Sequence, residues 1–279
     1  MAADTHPKHF RRWTTLVPLI LGTLVFIAPF IWLVLTSLMP LEETMSGKWM
    51  PSHLRWDNYG DAIARMRYFW IYARNSLFLC AMTVAGTVAS STLAAYGFSR
   101  IEWKGRDKVF TVLLSTMMIP FPVIMISSFI LFKHLGWIGT FRPLWAPAFM
   151  AGAFNVFLLR QFFLTLPKDI SEAARIDGCS DLQIFLRIIL PLSKPAVLVV
   201  ALFQFMATWN DFLAPLIYLT RQKSFTLALG LQSFESQQGG TPWNQLMAAT
   251  TLVVLPVMVL FFLTQKTFIQ GITTTGSKH

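Results

Sequence analysis

The stretch LVPLILGTLVFIAPFIWLVLTSL, residues 16–38, contains no ionisable side chain and is broken only by Pro18, Gly22 and Pro29. A helix of that length, rising about 1.5 Å per residue, outreaches the ~30 Å hydrocarbon core of a bilayer. Proline and glycine are tolerated in such a helix when neighbours re-satisfy the freed backbone groups. The run is too long for a secretion signal and has no small-residue cleavage pattern, so it reads as a retained first membrane helix.

Five further apolar runs follow, at residues 75–99, 109–132, 143–165, 196–219 and 246–268. At about 20 apolar residues per crossing, they turn the chain into a membrane bundle. Composition agrees: 54% of the 279 residues are hydrophobic and only 13% charged, a balance that a soluble domain would struggle to keep off its surface. The expected fold class is therefore an all-α membrane protein, a bundle of six transmembrane helices in a single domain over residues 1–279.

An even number of crossings puts both termini on one side. The basic residues choose it: Lys8, Arg11 and Arg12 precede the first run, Arg100, Lys104, Arg106 and Lys108 follow the second, and Lys168, Arg175, Arg187 and Lys194 lie between the fourth and fifth. The positive-inside rule makes that side cytoplasmic. The net charge of +10 is then a matter of topology, and no nucleic-acid partner is expected. Trp49, Trp56, Trp70 and Trp243 read as anchors at the lipid interface. Cys80 and Cys179 fall at different depths, which argues against a disulfide. The methionines, including Met117, Met118 and Met125, read as core filler.

The loop at about 166–194 is the most structured-looking polar segment. Asp169 is placed to cap a short helix with Glu172 in its first turn, and Gly178 to end it in a left-handed conformation. Ser180 followed by Gln183 repeats the capping-box spacing, which starts a second helix that Pro191 should stop. Ala173 and Ala174 give the first helix a slim face, flanked by Glu172, Arg175 and Asp177, suited to docking into a groove. The plainer reading keeps the loop as a connector, with Glu172 a capping partner and the alanines simply good helix formers.

Glu172-Ala173-Ala174, Asp177-Gly178, Ile188, Leu190-Pro191 and Pro195 resemble the signature loop of binding-protein-dependent ABC importer permeases. The resemblance extends over most of the chain and is greatest to the maltose-type carbohydrate permeases. It takes in Asn75-Ser76, the run Phe157 to Phe163, Trp209-Asn210-Asp211 and Gly271. It implies a subunit of the bacterial inner membrane, multi-pass, with both termini cytoplasmic. Its partners would be a second homologous permease, two ATPase subunits, an extracytoplasmic solute-binding protein and membrane lipid. It also implies that Glu172, Ala173, Ala174, Arg175, Asp177 and Gly178 couple to the ATPase. Cys179 stands where the family often has alanine. No phosphate-binding Gly-x-x-x-x-Gly-Lys-Ser/Thr loop occurs in the chain, so ATP and Mg belong to the partner ATPases and no cofactor is expected here.

Asp211 would cost about 2.5–3.5 kcal/mol at a bilayer centre and must face protein, water or the membrane edge. It is structural, or else part of a solute pathway with Gln204, Trp209 and Asn210, whose amides and indole suit a sugar. A proton- or sodium-driven transporter with Asp211 as coupling group is the alternative from another class. Gln237, Gln238, Gly239 and Gly240 form a flexible-looking outer loop, which in the resembling permeases reaches the binding protein and is otherwise a connector. The five histidines lie in tails or near loop ends, and neither catalysis nor a metal site is expected.

Overall fold

The computed structural model describes residues 8–234 and 240–276. Among these residues every regular element is helical: α1 Lys8–Ser37, α2 Asp57–Arg65, α3 Phe69–Ser99, α4 Arg106–Ser115, α5 Phe121–His134, α6 Arg142–Trp145, α7 Ala153–Thr165, α8 Lys168–Ile176, α9 Asp181–Ile184, α10 Leu190–Leu192, α11 Lys194–Trp209, α12 Leu213–Tyr218, α13 Leu227–Gly230 and α14 Trp243–Gly276. Four stretches are long and apolar enough to cross a membrane, namely Leu16–Ser37, Phe69–Ser99, Arg142–Thr165 and Trp243–Gln265. Two bent pairs raise that number to as many as six if each pair is one span.

The bends have local causes. The apolar run expected as one helix over 109–132 divides at Ile119–Pro120, where Arg106–Met118 and Phe121–His134 meet at 97°. A residue preceding proline is driven from the helical region, and Ile119 accordingly sits at φ −88°, ψ 110°. The run expected over 196–219 ends its first helix at Trp209 and restarts as α12 beyond Asn210–Phe212. In front of it, Asp181–Leu192 and Lys194–Trp209 meet at 79°. Within Arg142–Thr165 the chain also leaves the α-helix through a tight turn, Ala146–Met150, and a left-handed Ala151 with φ 53°.

The chain forms two compact units. In the first, Met1–Arg67 with Leu231–Leu255, Asn58 is the polar centre. Its amide nitrogen donates to the Ser37 and Met39 carbonyls, both at 2.9 Å, and its oxygen accepts from Asn244 at 3.1 Å. Buried amides are stable only when satisfied in this way. Outside this cluster, α1 leaves nearly all of its apolar surface uncovered by its own unit, as a lipid-facing helix would.

In the second unit, Tyr68–Gly230 with Pro256–His279, α3 is the central post and packs along α11 and α7. Gly86 allows the close approach of Phe149, whose ring lies 2.5 Å from where a Cβ would stand. Ser90 Oγ holds the same corner, bonding the Ala148 carbonyl and accepting the Ala151 N–H, each at 3.1 Å. Toward the last turns of α3, Ala95, Tyr96, Phe110, Val156, Leu159, Phe163, Ala174, Ile184, Phe185, Ile189, Ala196 and Val200 make one continuous core. The helices of the 166–194 loop are thus rooted in the bundle by their own apolar side chains.

Candidate functional site

The helix α8 starts two residues earlier than its sequence signal. Pro167 occupies the cap position with no side-chain bond, and Asp169 is in the first turn rather than capping it. Proline's fixed φ suits that entry, and Asp169 still complements the helix dipole there. At the other end Gly178 has φ +83°; its N–H bonds the Arg175 carbonyl at 3.0 Å and the Cys179 N–H bonds the Ala174 carbonyl at 2.9 Å. Both bonds satisfy carbonyls that the helix end would otherwise orphan. Ser180 and Gln183 form the reciprocal capping box, at 2.8 and 3.4 Å.

Pro191 does not stop the second helix. The chain widens through Phe185–Ile189, where the Leu190 N–H reaches back to the Phe185 carbonyl, and continues as α10 with Pro191 in its first turn. The wider turn shifts the hydrogen-bond register by one residue and so accommodates a residue that has no N–H to give. The break comes at Ser193, after which Pro195 lies in the first turn of α11.

The α8 helix has two faces. Ser171 and Ala174, three residues apart, are buried at 4% and 6% exposure; Glu172, Ala173, Arg175, Asp177 and Gly178 are all exposed. Arg175 bonds Asp181 at 3.0 Å, a hydrogen bond that holds the guanidinium still more firmly protonated and ties the two short helices together.

Two arginines hold the elements around this loop, Arg100 at its entry and Arg160 on the α7 helix that leads into it. Arg100, just past the end of α3, donates to the carbonyls of Phe163 at 2.6 Å, Leu166 at 2.7 Å and Pro167 at 3.3 Å. It therefore caps α7 and holds the entry to α8 at once, an interaction with helix-terminal carbonyls that suits a cation. Burial lowers its pKa. Arg160 bonds the Phe98 carbonyl at 3.0 Å and Asp107 at 3.2 Å, with its guanidinium 4.2 Å over the Phe110 ring. No local spacing announces either role, since the acceptors, most of them backbone carbonyls, lie far along the chain and are brought near only by folding.

The candidate solute-pathway residues do not act as one set. Gln204 accepts from Thr87 Oγ1 at 3.1 Å and donates to Thr208 Oγ1 at 3.0 Å, and Thr208 Oγ1 in turn bonds Thr83 Oγ1 at 2.9 Å. This chain of bonds joins α11 to α3. Trp209 is 2% exposed and stacks on Phe205 at 5.4 Å. Asn210 returns its amide to the Met206 carbonyl, and Asp211 accepts the Ala214 N–H at 3.2 Å where α12 begins. Gln204 and Asp211 nonetheless line a common cavity of about 150 Å³ with Thr208 and Thr226. Gln237, Gln238 and Gly239 lie outside the described residues, and Gly240 is exposed. Among the described residues, no group of three His, Cys, Asp or Glu is arranged to hold a metal, and Cys80 and Cys179 are both free.

Asn75 and Ser76 organise the segment before α13. The Asn75 amide donates to the Lys223 and Phe225 carbonyls at 2.9 and 3.0 Å, and Ser76 Oγ accepts the Leu227 N–H at 2.9 Å.

Residues 86–274 match the family described as binding-protein-dependent transport system inner membrane component. The arabinooligosaccharides transport system permease protein of Halalkalibacterium halodurans is 33% identical over 91% of this chain and 93% of its own length. The trehalose/maltose transport system permease protein of Thermococcus litoralis is 31% identical over 96% and 97% respectively. In fold, the chain is similar to one from a crystal structure of a bacterial ABC transporter that imports the acidic polysaccharide alginate, with a TM-score of 0.81 and 22% identity over 95% of this chain and 99% of that one.

Proposed function

Because the chain belongs to the family of binding-protein-dependent transport system inner membrane components, we propose that it is the permease subunit of an ATP-binding-cassette importer for a carbohydrate or sugar-like solute. The transport systems of its relatives, for arabino-oligosaccharides and for trehalose and maltose, support that solute class. In this reading it forms half of the translocation pathway beside a second homologous permease. Two separate ATPase subunits hydrolyse ATP with Mg, and an extracytoplasmic binding protein delivers the solute. The basic residues Arg100, Lys104, Arg106, Lys108 and Lys168 favour a cytoplasmic position for their segments, and Lys8, Arg11 and Arg12 before the first apolar run favour the same for the amino terminus.

The observation that carries the coupling role is the two-faced α8. Its exposed side offers Glu172, Ala173, Arg175, Asp177 and Gly178 to the ATPase, while Ser171 and Ala174 are buried against the bundle. ATP-driven closure of the ATPases displaces α8. Because Arg100 holds the α7–α8 junction to the end of α3, the displacement passes to α3 and α7 and biases the bundle between inward and outward openings. The chain itself carries out no catalysis.

A cysteine at Ala173 tests this reading. In assembled membranes, Ala173→Cys should crosslink to an ATPase subunit and resist membrane-impermeant thiol reagents added from outside. Labelling from outside, with no crosslink, would overturn both the orientation and the coupling role.

A further inference from the structure

Gln204 and Thr208 bond Thr87 and Thr83, which stand at the middle of the 31-residue α3, so this part of α11 lies halfway through the span. Just beyond it, α11 ends at Trp209 and α12 begins at Leu213, which leaves Asn210, Asp211 and Phe212 outside any helix. Irregular backbone at membrane depth is stable only where it is buried in protein or lines a water-filled cavity. Such a cavity is present: about 150 Å³, with Leu79, Leu144, Gln204, Ala207, Thr208 and Asp211 in its lining. At about 30 Å³ per water, it has room for roughly five.

Asp211 is the one ionisable side chain in that lining, and it is half-buried. It accepts the Ala214 N–H at 3.2 Å, yet among the described residues no cation pairs with it within 4.0 Å. A carboxylate held at membrane depth and facing a cavity without a counter-ion points to a functional site.

The lining also selects the occupant. An anion would meet a carboxylate that nothing offsets, in surroundings where charges repel more strongly than in water. A metal or ammonium ion would find a single acid and no second one. A neutral solute rich in hydroxyls fits: its O–H groups donate to the carboxylate, and its oxygens accept the second amide hydrogen of Gln204, whose first goes to Thr208. Leu79, Leu144 and Ala207 supply the apolar wall for the C–H face of a sugar ring.

We propose that this cavity is a solute contact made by the chain itself, in which Asp211 takes the hydroxyls of a neutral sugar and turns acidic sugars away. The inference rests on the permease reading given above and deepens it, because it makes this subunit a second filter behind the binding protein. One carboxylate close to one negative charge should discriminate about tenfold.

The test is saturation-transfer NMR on the assembled transporter in nanodiscs without its binding protein, titrated with glucose and arabinose as neutral probes and glucuronate as the acidic one. Wild type should bind the neutral sugars about tenfold more tightly than glucuronate. Asp211→Asn keeps an oxygen for the Ala214 N–H, so α12 stays capped while the charge is removed. It should admit glucuronate and bring the ratio to within about twofold of unity, whereas an Asp211 that only caps α12 predicts the same ratio in both proteins. Ala207→Leu, at an exposed position, fills the cavity with Asp211 untouched and should weaken the neutral sugars about tenfold. The proposal is overturned by any of four results: no saturation transfer from wild type to either neutral sugar, equal affinity for glucuronate, a ratio unmoved by Asp211→Asn, or affinities unmoved by Ala207→Leu. Such a failure leaves the permease reading intact if Ala173→Cys still crosslinks to the ATPase, and loss of that crosslink removes the reading itself.

Discussion

The Arg100 guanidinium donates to the Phe163 carbonyl at 2.6 Å, joining the end of α3 to the last turns of α7 through a charged group that is almost wholly buried. The same nitrogen reaches the Leu166 carbonyl at 2.7 Å, so one side chain serves two acceptors at the root of the loop.

Replacing it with a neutral residue of similar length, Arg100→Met, should leave those carbonyls unpaired and cost about 2–3 kcal/mol. Thermal denaturation of the purified complex measures the loss. Arg100→Lys should recover only part of it, since an ammonium lacks the planar fork that spans several acceptors. A wild-type melting temperature for Arg100→Met would remove the clamp from the account of coupling.

Gly178 has open space around it, so a side chain added there meets no neighbour within its own chain. At φ +83°, a β-branched side chain strains the turn by about 1–2 kcal/mol, whereas asparagine tolerates the left-handed region. Gly178→Val should therefore abolish most solute-stimulated ATP hydrolysis and Gly178→Asn should retain it. Gly178→Asp adds a charge at the exposed end of the helix and should uncouple the transporter without preventing assembly. If Gly178→Asp and Gly178→Val both kept full solute-stimulated hydrolysis, the turn would have no part in coupling.

At Gly86, an added methyl group would meet the Phe149 ring at 2.5 Å and force the ring away from α3. Gly86→Ala should destabilise the transporter by about 1–3 kcal/mol. The double variant Gly86→Ala with Phe149→Ala should regain part of that loss, because the clash is gone. Additive losses in a thermal-unfolding cycle would show that the two positions do not press on one another.

Asn75→Ala removes the donor to the Lys223 and Phe225 carbonyls, acceptors that belong to the segment preceding α13. An expected cost of about 1–3 kcal/mol should appear locally, as faster amide hydrogen exchange over residues 219–230. Unchanged exchange there would mean that other contacts hold the segment.

The sequence by itself determined the membrane character, the apolar runs and the local signals of the loop. Apolar length, a glycine needed at positive φ and the Ser180–Gln183 capping spacing are all properties of neighbouring residues, and each was legible without a fold. Proline was legible as a warning rather than an outcome: Pro120 breaks its helix, while Pro191 is absorbed by a widened turn, and the difference depends on what packs around each. The start of α8 at Lys168 instead of after Asp169 shows the same limit at a helix end. Only the tertiary structure decided that Arg100 belongs to the loop, that Gln204 is spent on Thr87 of α3 and Thr208 of its own helix, and that Asn75 holds the Lys223 and Phe225 carbonyls. Those relationships join residues distant in the chain, often through backbone carbonyls that every residue possesses, so no side-chain pattern along the sequence can encode them.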